Sequence, residues 1–281
     1  MNIGIIGRGF VGGSMERFLK EHSQHSVEAF DAADGDIEAG YRRVVEHSDI
    51  IYVAVPTPMD DSGKCYTGIL DESLKLINEM AKGQVLVFIK STMSPGTSDK
   101  FKEKYKHIDI VTNPEFLTER NAYADLCAAK QHVLGGVPES LLDVVRQYHE
   151  ALWEDCQVIF VSNIEAELIK YLTNTYFSVK VSFANHIYHI AQALGIDYSS
   201  FIEAAIAADP RIEPTHWAVP GPDGQLGFGG KCFPKDLNGM MTLFREQGVA
   251  CPLLETAWFY NLCIREDQDW KRIYGAQTDS I

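Results

Sequence analysis

Asn2-Ile3-Gly4-Ile5-Ile6-Gly7-Arg8-Gly9-Phe10-Val11-Gly12 opens the chain with a short β-branched run, a glycine-rich turn and the start of an amphipathic stretch reaching about Lys20. The turn reads G-x-G-x-x-G, a pattern that carries weight only between a strand and a helix, which is where it falls here. In that setting Gly7 permits the tight turn, Gly9 lets backbone approach a pyrophosphate, and Gly12 lets helix and strand pack closely. The helix start at Phe10 and Val11 supplies N–H donors and partial positive charge to an anion. Asp31 closes the next strand about twenty residues on, where a carboxylate accepts from a ribose 2′-hydroxyl and repels a 2′-phosphate. NAD is therefore the expected cofactor. The alternative is a glycine-rich turn with no ligand.

Beyond this unit, short apolar runs alternate with helical patterns. They are Val27–Phe30, Ile50–Val55, Val85–Ile89, Ile108–Val111 and Val158–Val161, with a helical pattern such as Leu70–Met80 between. Strands alternating with helices predict an α/β fold, a doubly wound parallel sheet covered on both faces. Near Ser162 the character changes. Ile164 to Leu194 reads as one helix without Pro or Gly, on the order of 45 Å long at about 1.5 Å per residue. A helix of that length suggests a subunit interface. Helices are also expected over Tyr198–Ala207, from near Pro234, and over Leu253–Trp270, with a frayed end from Ala276. The expected domains are a Rossmann domain over 1–162 and an all-α domain over 163–281.

The chain has 281 residues, and 25 Lys and Arg against 39 Asp and Glu give a net charge of −14. A surface this acidic repels phosphate backbones, which argues against nucleic acid and anionic membrane as partners. The six cysteines form no CxxC pair, and no metal-ligand spacing appears, so no metal is expected. A reducing cytoplasm is the default location. No leader pattern and no membrane-spanning apolar run is visible.

Three further clusters carry chemistry. In Gly227-Phe228-Gly229-Gly230-Lys231-Cys232-Phe233-Pro234-Lys235-Asp236, Pro234 suits the start of a helix. Cys232 then sits at a helix N-terminus between two lysines, surroundings that favour a nucleophilic thiolate. The bland alternative is a buried structural cysteine. Asn113-Pro114-Glu115-Phe116-Leu117-Thr118-Glu119 sets two carboxylates four apart beyond a strand end, the edge where doubly wound sheets bind ligands. An ordinary helix start with exposed acids would look the same. Lys170 and Asn174 share one face of the long helix. Buried, that pair can stabilise an oxyanion; solvated, it is only a helix surface.

Together these segments resemble the UDP-glucose/GDP-mannose dehydrogenase family. The likeness runs from residue 1 to about 270 and includes Val55-Pro56-Thr57-Pro58, Lys90-Ser91-Thr92, Pro95-Gly96-Thr97, Glu167–Asn174 and Asp209-Pro210-Arg211-Ile212. It implies a four-electron, NAD-dependent oxidation of a nucleotide-sugar primary alcohol to a uronic acid. Cys232 would form a thiohemiacetal and then a thioester. Thr92, Glu119 and Asp236 would hold and activate the hydrolytic water, and Glu115 would move a proton. Lys170 and Asn174 would stabilise the oxyanion. Thr57, Thr92 and Glu119 would line the cofactor site. Phe116, Leu117, Phe228 and Gly229 would line the sugar site, and Arg211 would reach it across a homodimer built on the long helix.

The chain also departs from the family. Only 45 residues follow Asp236, too few for the family's third domain, so half of the substrate grip is expected to be missing. Several extra residues lie between Arg211 and Cys232, including His216, Trp217 and Pro220–Asp223, and Trp217 is expected to stack on a base or sugar. Arg120 stands where a glycine is usual. Two other readings remain open. One is a two-electron dehydrogenase of a smaller alcohol, as in the β-hydroxyacid dehydrogenases, which share this length but use no cysteine. The other is a non-catalytic cofactor-binding module.

Overall fold

Seven strands are cut from the β-branched and aromatic runs of the first 161 residues: β1 Asn2–Ile6, β2 Ser26–Phe30, β3 Ile50–Val53, β4 Val85–Ile89, β5 Ile108–Thr112, β6 Gln131–Gly135 and β7 Gln157–Val161. Between and after them lie α1 Phe10–His22, α2 Ile37–Glu46, α3 Gly68–Met80, α4 Thr97–Lys104, α5 Ala122–Cys127 and α6 Leu142–Leu152. Then follow α7 Asn163–Ala193, α8 Tyr198–Ala208, α9 Phe233–Glu246 and α10 Pro252–Ile264. The structure, a computed structural model, describes residues 1–280.

The strands form one sheet in the order β2-β1-β3-β4-β5-β6-β7. Every pairing is parallel except β5–β6, which meets in antiparallel sense at Thr112 and Gly135. The α/β architecture thus holds, with its last two strands reversed. Apolar layers fill both faces: Val53, Val87 and Ile110 with Leu74 and Ile77 on one side, Ile5, Tyr52 and Phe88 with Phe18 and Leu134 on the other.

The chain divides into two units. The first is Met1–Thr57 with Tyr66–Lys170 and holds the sheet; the second is Pro58–Cys65 with the chain from Tyr171 onward. The second unit is helical, with Ala184, Ala191, Tyr198 and Ile202 at its core. Two sequence expectations need correction here. The last helix stops at Ile264, because Arg265 leaves the helix in an extended conformation and turns its buried side chain inward. The chain end is not frayed at Ala276, which is buried. Met59 N–H donates to the Ala276 carbonyl at 2.9 Å, and Thr278 N–H to the Met59 carbonyl at 3.0 Å.

One core feature makes stability depend on acidity. His132 on β6 and His149 on α6 are buried with ring centroids 5.3 Å apart, and the Nε2 of each has no hydrogen-bond partner. Burial pushes their pKa values down to about 3 and about 4. The unfolded chain takes up these protons near pH 6.5, the folded chain only at those lower values. Their contribution is therefore complete above about pH 6.5 and is lost as pH falls, by up to ~2.7 kcal/mol per pH unit for two protons. Urea midpoints between pH 7 and 4.5 are expected to fall more steeply for the parent than for a His149→Phe variant. Parallel curves would show that the ring is not held neutral.

Candidate active site

In the sheet unit, α1 begins directly at Phe10, with Gly9 as an N-cap that brings no side-chain hydrogen bond. The first-turn N–H groups are thus left for a ligand. A Cβ on Gly12 would lie 1.9 Å from the Gly7 carbonyl oxygen, so only glycine lets the helix approach the turn. The Asp31 carboxylate accepts from Arg8 N–H at 2.7 Å and Ala33 N–H at 3.0 Å. Asp34 accepts from Asp31 N–H at 2.9 Å and pairs with the Arg8 guanidinium at 3.3 Å. A cavity of about 730 Å³ lies here, lined by Arg8, Val27, Phe30, Asp34, Gly40 and others. Thr57 is buried and Thr92 half-buried, each just beyond a strand end of the same unit. The open helix start and the Asp31 carboxylate beside it have the chemistry a dinucleotide needs.

The Asn113–Glu119 segment is a loop rather than a helix start, and its two carboxylates have opposite surroundings. Glu115 is 7% exposed and receives the Lys170 ammonium at 2.8 Å. The same ammonium donates to the Glu115 carbonyl at 2.6 Å and lies 5.8 Å from the Phe116 ring centre. The other Glu115 oxygen accepts Leu117 N–H at 2.7 Å, which folds the loop around its own carboxylate. Phe116 is exposed, whereas Leu117 packs against the sheet core. Glu119 and Arg120 are exposed.

Two further buried charges, Lys90 and Glu167, shape this unit. Lys90 is buried and donates to Asn113 Oδ1 at 3.0 Å. Burial brings its pKa down to about 8, with Glu115 opposing and Lys170 adding to the fall. Glu167 accepts the N–H groups of Gly96 and Ser98 at 2.5 and 2.7 Å and so caps α4. The sequence carries a signal for Lys90 alone: a lysine directly at the end of a buried apolar strand needs a polar partner.

In the helical unit, Cys232 is the half-buried N-cap of α9, with Phe233 and Pro234 as the first helical residues. Asp236, one turn on, has no exposed surface. Its carboxylate accepts from Asn174 Nδ2 at 2.5 Å and pairs with the Lys235 ammonium. Burial works against the Lys235 charge, but Asp236 outweighs it and holds the ammonium well above the usual lysine range. The Lys235 charge, expected to act on the thiol, is thus paired with Asp236.

Lys170 and Asn174 sit one turn apart on α7 and are both buried, so the solvated-face alternative is excluded. Phe228 is buried, and Asn261 of α10 brackets it: Phe228 N–H donates to Asn261 Oδ1 at 2.8 Å, while Asn261 Nδ2 donates to the Phe228 carbonyl at 3.0 Å. Arg211 is exposed and paired with Asp209 at 2.6 Å. Trp217 is not an open platform. Its Nε1 donates to the Glu213 carbonyl at 2.9 Å, its carbonyl accepts from Tyr198 Oη at 2.8 Å, and its ring packs near Phe183. Among the described residues no group of three or more His, Cys, Asp or Glu side chains could hold a metal, and no helix is long and apolar enough to cross a membrane.

Comparison with known proteins gives consistent matches. Residues 36–153 match the NAD binding domain of the UDP-glucose/GDP-mannose dehydrogenase family, and residues 164–262 match the central domain of that family. UDP-glucose 6-dehydrogenase TuaD of Bacillus subtilis (strain 168) is 30% identical over 219 residues, 75% of this chain and 46% of that protein. The chain spans about half the length of the curated relatives it matches. A UDP-glucose dehydrogenase structure from Pyrobaculum islandicum superposes with a TM-score of 0.78 at 22% identity, covering 93% of this chain and 68% of that one. The 3-hydroxyisobutyrate dehydrogenase of Mycobacterium tuberculosis superposes at 0.71 and 20% identity, covering 92% of both chains.

Proposed function

The chain belongs to the UDP-glucose/GDP-mannose dehydrogenase family, and on that premise we propose that it oxidises the primary alcohol of a nucleotide sugar to the carboxylate, UDP-glucose to UDP-glucuronate being the leading reaction. One observation carries this reading: a cysteine caps α9 directly after a Gly-Gly-Lys turn, with a buried Asn174–Asp236 contact one turn behind it. NAD, held by Gly7 to Gly12 and Asp31, supplies the hydride acceptor for each oxidation.

This chain's own residues do the rest. Glu115 takes up the alcohol proton within reach of the Lys170 charge. Lys170 and Asn174 offer N–H donors to the oxygen that carries developing charge. The Cys232 thiolate bonds to the aldehyde carbon, so the aldehyde is held as a thiohemiacetal rather than released. At the higher oxidation level Cys232 carries a thioester. Thr92, Glu119 and Asp236 hold the water whose oxygen enters the product, and the C–S bond breaks to return the thiolate. Each oxidation removes one hydride and one proton, so two NADH accompany each carboxylate.

The exposed apolar residues of α7, Ile164, Leu168, Leu172, Tyr176, Phe183 and Ile190, recur at four- and seven-residue spacing. That stripe supports a homodimer built on this helix, in which Arg211 would reach the partner's sugar. A second reading is a two-electron dehydrogenase of a smaller alcohol, favoured by the match in fold to the hydroxyisobutyrate enzyme.

NADH formation with UDP-glucose, GDP-mannose, UDP-N-acetyl sugars and small alcohols separates the two. Two NADH per sugar are expected, from a preparation that sediments as a dimer at micromolar concentration. One NADH per molecule, from a small alcohol only, would support the second reading. A monomer would refute the interface.

A further inference from the structure

The loop that carries Cys232 is held by a segment with no assigned role. Gly230 stands two residues before Cys232 with φ +75°, a left-handed turn. Its N–H points at Asp269, which receives it on both carboxylate oxygens at 3.1 Å. Asp269 lies beyond α10, past the residues that match the family's central domain. Its second partner is Arg265, at 3.3 Å.

Arg265 is 3% exposed and uses its whole guanidinium: Asp223 at 2.7 Å, the Asp267 carbonyl at 2.8 Å and the Leu226 carbonyl at 3.4 Å. A Cβ on Gly229 would lie 2.1 Å from Arg265 Nη2 and 2.4 Å from Asp269 Oδ1. The Gly229–Gly230 step is therefore moulded onto this ion cluster. Asp223 belongs to the extra residues before the cysteine loop, so one buried cation ties that insertion, the post-α10 segment and the Cys232 loop together.

We infer that Asp269 is a positioning residue for Cys232: by fixing the Gly230 N–H it sets where α9 starts and hence where the sulfur sits against the helix N-terminus. Freed of this hold, the loop can turn the sulfur away from the N–H groups that favour thiolate. The inference rests on the reading of Cys232 as the nucleophile, and a misplacement of this kind costs rate rather than affinity.

The test is the pH dependence of iodoacetamide alkylation at Cys232 in the whole protein, followed by peptide mass, with exposed Cys127 and Cys263 as internal references. Asp269→Ala is expected to slow Cys232 on the order of tenfold at neutral pH and move its midpoint upward. The references should keep their rates. Removing a carboxylate acts in the opposite sense through charge alone, so the direction separates position from charge. Asp269→Asn keeps the acceptor and is expected within about threefold of the parent. If Asp269→Ala does not fold, Asp269→Glu moves the carboxylate while keeping its charge and is expected to slow Cys232 severalfold.

With a turned-over sugar, kcat should fall in step with alkylation while KM holds. A parental alkylation profile in Asp269→Ala or Asp269→Glu, a downward midpoint, or an Asp269→Asn loss as large as that of alanine would overturn the inference. Failure of the parent to oxidise any nucleotide sugar would sink the proposed function instead, since alkylation needs no turnover.

Discussion

Replacing Cys232 by serine is expected to lower the formation of uronic acid by at least about 10³-fold while leaving the fold intact. A serine hydroxyl at the same N-cap stays protonated at neutral pH, and its alkoxide is not reached by a helix N-terminus alone. Without the sulfur there is no thioester, and the second oxidation has no covalent intermediate to act on. Quenched reactions analysed by mass should show the parent carrying a sugar adduct on the Cys232 peptide and the variant carrying none. Serine at Cys127 or Cys263, both exposed, is expected to change neither measurement. A Cys232→Ser enzyme that still yields two NADH per sugar within tenfold of the parental rate would end the thioester account.

Asp236→Asn has the largest expected effect on stability. Asp236 is fully buried and Lys235 is 7% exposed, so the pair is removed from bulk solvent. Neutralising one member leaves an ammonium in the interior facing an amide, at a cost on the order of 3–5 kcal/mol. The sign with pH follows from the raised Lys235 pKa. In the parent, the pair's contribution is complete below the unfolded lysine value near 10.5 and is lost as pH rises above it. In the variant the lone lysine prefers to be neutral, so its stability rises with pH. Urea midpoints of the two proteins should therefore converge toward pH 10–11, and a constant gap across that range would contradict the buried pair. A Lys235→Met/Asp236→Leu double substitution is expected to recover much of the stability but none of the turnover, which separates the structural role of the pair from its part in handling water.

Parts of this molecule were legible from local pattern, and others depended on contacts distant in sequence. Strands β3 and β4 are continuous apolar runs because both faces of the sheet are covered. The long helix was visible because nothing between residues 164 and 194 interrupts it. Strand β6 was missed. Its Gln131 and His132 break the apolar run, and His132 is buried only because α6 packs over it with His149 and Trp153. The reversal of β6 against β5 is likewise set by the connection through α5, which composition does not encode.

At the site, Cys232 and its helix start could be read from a few adjacent letters. The neutralisation of Lys235 by the next residue could not, since neighbours along a helix do not ordinarily face each other. Trp217 read as a ligand platform, yet its ring and its Nε1 are both used by the protein itself. The end of α10 was misjudged for a similar reason: Arg265 stops the helix to reach carboxylates that the linear sequence keeps far apart.

Asn261 takes hold of Phe228 through both backbone atoms, from 33 residues downstream. A carboxamide presents a donor and an acceptor at the spacing of a peptide unit, so this side chain behaves as a single rung of sheet. No isostere reproduces it. Aspartate would set a lone pair against the Phe228 carbonyl, and leucine would strand two buried polar atoms. The amide also carries no proton that ordinary acidity can add or remove, which makes this grip indifferent to pH. The placement of the cysteine loop is thus written partly into a helix that takes no part in the chemistry, and a search for the reaction's determinants confined to the loop itself would overlook it.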